Sequence, residues 1–269
     1  MRKATAVLLT FCLFLAACGS KEMEQYVTQG DKALAEEKYD DAISFYMKAL
    51  QLDSKNPDTA GKLREARGKK KEEVLAAASE SYSAMNYTEA ERLYTQLNEL
   101  PNLTEVEKEE AELKLEEVSL LKEKQISFNQ YIDWSTPTVK DYYKIASEWE
   151  RLSSSFGISA ISNEEMKKGV TQIAGEMNVI KASIDTKAFD IEDTTLLDVH
   201  KGLSDVAERH AKGFVNVVRA VNQIKEGTDM NVHENDNLNN MKVSLATYTN
   251  SLSSYAATEK LVYSFEITD

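Results

Sequence analysis

Along the second half of the chain, apolar residues recur at alternating steps of three and four, the period with which an α-helix brings side chains to one face. One run follows Thr136-Pro137, an N-cap residue and a proline suited to the first helical turn, and carries Val139, Tyr142, Ala146, Trp149, Leu152 and Phe156. A second opens on the capping box Ser162-x-x-Glu165 and continues through Met166, Val170, Ile173, Met177, Ile180 and Ile184. After a turn from Asp190 to Asp193, a third places Leu196, Val199, Leu203, Val206, His210, Phe214, Val217, Val221 and Ile224 on one seam and stops at Gly227. The last holds Leu238, Met241, Leu245, Tyr248, Leu252 and Tyr255, then Val262. Seams this regular predict packed helices, and residues 126–269 read as a helical bundle.

The first half is built differently. From Glu22 to about Glu99, helical stretches alternate with short turns, and two stretches look alike. One runs Tyr39-Asp40-Asp41-Ala42-Ile43-Ser44-Phe45-Tyr46, then Ala49-Leu50; the other runs Tyr87-Thr88-Glu89-Ala90-Glu91-Arg92-Leu93-Tyr94, then Leu97 and Leu100-Pro101. Both resemble the second helix of a tetratricopeptide repeat, where an aromatic opens the turn, an alanine packs helix on helix and another aromatic follows. Tyr26 and Gly30 stand at the first large and small positions of the upstream helix. Gln29 and Ala33 depart from the larger residues usual there, and the proline comes late, at Pro57. Ala42 and Ala90 are also 48 positions apart, where the family repeats at about 34. The excess is close to four helical turns, so one long helix from about Pro57 to Ala84 absorbs it without rotating its packing face.

The resemblance covers residues 23–101. Beyond it, Thr104-x-x-Glu107 is a capping box opening a charged helix to about Lys124, whose Ala111, Leu115, Val118 and Leu121 can cover the end of the second pair. The expected fold class is all-α, with tetratricopeptide-like hairpins and their capping helix over 23–125, then the long-helix bundle. In the family, groove contacts come from the first helix of each pair. That resemblance points to Val27, Asp31 and Leu34 as a partner groove, without the lysine and asparagine of members that clamp a peptide carboxylate.

The N-terminus changes where such a groove would work. After Met1-Arg2-Lys3, the stretch from Ala4 to Ala17 is apolar except for Thr5 and Thr10. As a helix it spans about 21 Å, short of the roughly 30 Å hydrocarbon core, which makes it an export signal. Leu15-Ala16-Ala17-Cys18 resembles the lipobox of bacterial lipoproteins. The resemblance implies recognition of Leu15, Ala16 and Ala17 by the signal peptidase, cleavage before Cys18 and a diacylglyceryl thioether on Cys18. Residues 1–17 are then a signal peptide and 18–22 a lipidated tether, on the outer face of the cell membrane. The other cysteine, Cys12, lies in the leader, so the mature chain would hold neither disulfide nor free thiol.

Charge narrows the partners. Of 32 basic residues, Arg2 and Lys3 leave with the leader, and the remaining 30 face 45 acidic ones. Such a field repels nucleic acid and anionic headgroups, leaving membrane affinity to the lipid. Only 10 glycines and 3 prolines agree with a helical chain.

Catalytic motifs do not appear: the sequence has no Gly-x-Ser-x-Gly elbow, phosphate loop or His-Glu-x-x-His helix. His210 interrupts an apolar seam and reads as a buried, hydrogen-bonded histidine. His200, ten residues earlier, is rotated about 80° from it, too far to share a metal. The polar loop from Asp229 to Asn237 lacks the glycine and final acid of a calcium loop. The basic run Arg64, Arg67, Lys69, Lys70 and Lys71 reads as a solvated face balanced by Glu72 and Glu73, and Trp134 and Trp149 as packing residues. The expectation is a non-enzymatic, surface-tethered interaction module without cofactor, metal or small-molecule substrate, binding a protein or peptide near the membrane. The alternatives are a wall-binding or spacer lipoprotein and, more remotely, an envelope enzyme built around His210.

Overall fold

The computed structural model describes residues 21–225, 227, 228 and 236–265, the side chains of Asp236 and Asn237 apart. All regular structure among the described residues is helical. The chain divides into two compact units, one ending at Lys122 and the other beginning at Glu123.

The first unit is a series of hairpins: α1 (residues 21–35), α2 (Tyr39–Leu52), α3 (Pro57–Ser83), α4 (Tyr87–Asn98) and the start of α5 (Glu105–Gly157). Asn56 caps α3, its side chain accepting from Thr59 N, with Pro57 at the first position where a missing N–H is harmless. The single helix α3 serves two cores. Its first half gives Leu63 and Ala66 to a cluster with Ala33, Ala42 and Tyr46; its second gives Val74 and Ala78 to one with Tyr87, Ala90, Leu93, Tyr94, Ala111 and Val118. The 48-residue offset recurs in backbone geometry. Glu37 and Met85 adopt left-handed φ of 58° and 57°, and Lys38 N donates to Ala33 O at 2.9 Å as Asn86 N donates to Ser81 O at 2.9 Å. Both helices thus end in the same Schellman turn. At Gly30, an added Cβ would come within 2.5 Å of the Tyr46 ring; that ring is wholly buried, so only glycine allows the approach.

In the second unit, α5 continues alongside α6 (Asn163–Lys187), α7 (Thr194–Ala220), the short α8 (Asp236–Asn239) and α9 (Met241–Thr258). The core is aromatic and aliphatic, with Tyr142, Trp149, Phe156, Met166, Met177 and Phe214 all buried. Ser162 and Glu165 form the reciprocal capping box at the start of α6, and Asp193 caps α7 by accepting from Leu196 N at 2.8 Å. Past α9, Gln125 accepts from Val262 N at 2.7 Å and donates to Val262 O at 3.1 Å, holding that residue by a side-chain amide.

Two details of the pattern reading are corrected. Thr136-Pro137 starts no helix: α5 is one helix of 53 residues with Pro137 inside it. Phe128, Tyr131, Ser135, Val139 and Tyr142 are all buried, so the packed seam passes through the proline without a break. Burying large apolar side chains contributes roughly 1.5–3 kcal/mol each, which outweighs the proline's cost of about 3 kcal/mol. Pro137 is exposed, so Pro137→Ala restores a backbone donor without opening a void. It should raise the unfolding free energy by up to about 3 kcal/mol, read as a higher urea midpoint; an unchanged or lower midpoint would mean the helix is bent to suit the ring.

The second correction concerns α7, whose buried line runs through Leu196, His200, Leu203, Ala207, His210, Phe214 and Val217. Val199 and Val206 only flank it. His200 belongs to the buried line because the three-and-four spacing from Leu196 to Val217 passes through it.

Candidate functional site

Cys18 and its recognition residues Leu15, Ala16 and Ala17 lie outside the described residues, as does the loop 229–235. Of the three groove positions, Val27 lines an open cleft of about 790 Å³ between α1 and the start of α3, with Thr28, Pro57 and Lys62 among its other walls. Asp31 accepts from the Tyr46 hydroxyl at 2.8 Å and pairs with Lys62 at 2.6 Å, tying α1 to α2 and α3. Leu34 packs against the first cluster. The structure therefore places these three side chains in three different settings.

A more apolar groove, of about 520 Å³, lies between the second half of α3 and the start of α5. Tyr94 and Leu97 from α4 and Ala111 from α5 are buried beneath it, while Leu75, Leu103 and Leu113 form its walls. Leu75 is 46% exposed and Leu113 61%, unusual for leucines facing one another across a cleft. At one end, Lys71 bridges to Glu107 at 2.5 Å. At the other, the Tyr82 hydroxyl donates to Glu117 at 2.5 Å, and Lys114 pairs with the same carboxylate at 2.6 Å while lying 5.2 Å from the Tyr82 ring centre. These contacts fix α3 and α5 side by side, so the groove is held open by paired charges at its ends. Lys71, followed by the Thr104 backbone and hydroxyl, holds the Glu107 carboxyl down to about 2; the carboxylate is therefore ionised at every physiological pH.

The signal for this groove was present in the chain. Val106, Leu113 and Leu120 repeat every seven residues on α5 and are 64%, 61% and 61% exposed. They lie on the side of the helix away from buried Ala111 and Val118. A helix with two apolar lines has more than one surface to cover, and the sequence reading followed only the buried one.

The basic run on α3 is largely spent inside the unit. Lys69 pairs with Glu72, Lys70 with Asp40 and Glu73, and Lys71 with Glu107.

In the second unit, a polar cleft of about 480 Å³ contains Lys124, Asp193 and Tyr255. Lys124 is committed there to Asp193 at 3.0 Å and Glu259 at 2.6 Å. Among the described residues, His200 and His210 are both internal. His210 contacts the Tyr142 hydroxyl. His200 contacts the Tyr131 hydroxyl through Nδ1 at 3.1 Å and the Ile184 carbonyl through Nε2 at 2.8 Å, and Tyr131 in turn meets Tyr248 at 2.7 Å. Among the described residues, no group of three or more His, Cys, Asp or Glu side chains could hold a metal.

Burial pushes His200 below its ordinary value of 6.5, against the smaller opposing effects of the Ile184 carbonyl and Asp185. The unfolded chain then takes up this proton first as pH falls, so the stability His200 contributes is complete above about pH 6.5 and is lost below it. Between about pH 7 and 5 the unfolding free energy of the second unit should fall, at up to about 1.4 kcal/mol per pH unit for one proton, read as a falling urea midpoint. His200→Gln should flatten that slope; a slope unchanged in the variant would assign it elsewhere.

No protein family, curated protein or solved structure matches this chain.

Proposed function

We propose that this chain is a membrane-anchored extracytoplasmic lipoprotein whose first unit serves as an interaction module, holding a protein partner at the cell surface. The observation that carries the reading is the groove between α3 and α5: leucines 46% and 61% exposed over a preformed apolar floor, on a chain of net charge −13. Monomeric surfaces rarely leave such a patch uncovered without a binding role. The lipobox at Leu15 to Cys18 supplies the anchor and the compartment. Cys18 stands only three positions before the first described helical residue, Lys21. That short tether reaches about 10 Å, so the module works beside the bilayer. The repeated hairpin geometry supports a tetratricopeptide-like scaffold.

The test is photo-crosslinking on intact cells, with a reactive amino acid at position 75 or 113 and, for comparison, at Val179, a 71% exposed position on α6. Capture of one protein species from 75 and 113, but not from 179, is the expected result. Capture from 179 alone would move the binding surface to the bundle.

A further inference from the structure

Resting on that reading, we infer that the groove and the adjoining stripe of α5 seat a basic amphipathic helix of the partner. The apolar part of the surface has the shape a helix needs. Val106, Leu113 and Leu120 form a straight line fourteen positions long, about 21 Å along the axis, and Leu75 from α3 lines the same groove as Leu113, adding a second wall to the trough. A partner helix with apolar residues at heptad spacing lays one face into this trough over about four turns.

The charges around the trough choose the sign of its flanks. Among the described residues, Lys71, Lys108 and Lys114 are all taken by Glu107, Glu112 and Glu117, whereas Glu105, Glu109, Glu110 and Glu116 have no ion-pair partner. Taking Leu113 as the reference direction, Glu109 and Glu116 project within about 60° on one side and Glu110 within about 60° on the other. Unpaired carboxylates therefore border the leucine line on both sides. Lysine or arginine on the flanks of the incoming helix would neutralise them, and acidic flanks would meet repulsion.

The same charges disfavour two other occupants. A second copy would bring its own glutamates against these, each mature chain carrying 30 basic against 45 acidic residues. An anionic lipid surface would be repelled for the same reason.

The experiment uses the full mature chain with Cys18→Ser, which removes the lipid and leaves the rest of the protein. The probes are two fluorescein-labelled helical peptides of about three heptads, with leucine at the core positions. One carries lysine at the flanking positions and the other glutamate. Fluorescence anisotropy should show the lysine peptide binding at least about tenfold more tightly, with a preference that weakens as salt is added. Leu75→Ser with Leu113→Ser should weaken it by about tenfold or more, and Glu109→Lys, Glu110→Lys and Glu116→Lys together should invert the preference between the peptides. These positions are exposed, so circular dichroism should show every variant folded. Equal binding of both peptides, or binding indifferent to the leucine changes, would overturn the inference. So would a dimer in sedimentation that Leu113→Ser abolishes, since that places a second copy in the trough. If crosslinking from position 113 captures a protein while the lysine peptide fails, the interaction module stands and the basic helix falls.

Discussion

Cys18→Ala is expected to shift the protein from the membrane fraction to the soluble fraction, or to leave it uncleaved with its leader attached. The effect should be close to complete, because the proposed lipid has no substitute. Among the described residues no helix is long and apolar enough to cross a membrane, and a chain of net charge −13 is pushed away from anionic headgroups. Two acyl chains, at about 0.8 kcal/mol for each buried methylene, supply far more than any surface contact could. Fractionation, gel mobility and the mass of the N-terminal peptide read the result. Unchanged mobility together with unchanged membrane association would remove the lipid from the proposed function and leave the groove as a separate question.

The largest effect on stability should come from Trp149→Ala. Trp149 is 1% exposed; its ring meets Phe214 edge-on with centroids 5.7 Å apart, and its indole N–H donates to Asn239 at 3.3 Å. Removing the ring leaves a cavity in the core of the second unit and takes away its hydrogen bond to Asn239. The expected cost is about 3–5 kcal/mol, a fall in midpoint on the order of 10 °C for a unit of this size. The chain has only two tryptophans, and the other, Trp134, belongs to the same unit. It donates to Ser183 at 3.3 Å, so its fluorescence still reports unfolding in the variant. A loss below about 1 kcal/mol would show that the site collapses around the missing ring.

Much of the architecture was legible before any coordinates. The alternation of three and four steps placed the bundle helices, and the Ser162 and Thr104 capping boxes placed two helix starts within a residue. The 48-residue offset between Ala42 and Ala90 foretold the long α3. These features are local: a helix face, a cap and a turn are settled by residues within one or two turns of each other.

What failed to read out was decided by packing between distant segments. Pro137 is a stop signal on its own; it lies inside α5 because Tyr131, Val139 and Tyr142 are held on both sides of it by α7 and α9. His200 stands off the seam read from the sequence, and the Tyr131 hydroxyl and the Ile184 carbonyl, 69 and 16 positions away, supply its buried partners. The groove between α3 and α5 depends on Lys71 meeting Glu107 and Tyr82 meeting Glu117, pairs separated by 36 and 35 positions. The chain alone determined its helical class and its repeated hairpins, since each is written in neighbouring residues. Which leucines stay exposed, and which glutamates remain unpaired around them, was decided only when the helices came together. Burial and charge pairing are properties of the assembled surface, and no window of sequence contains them.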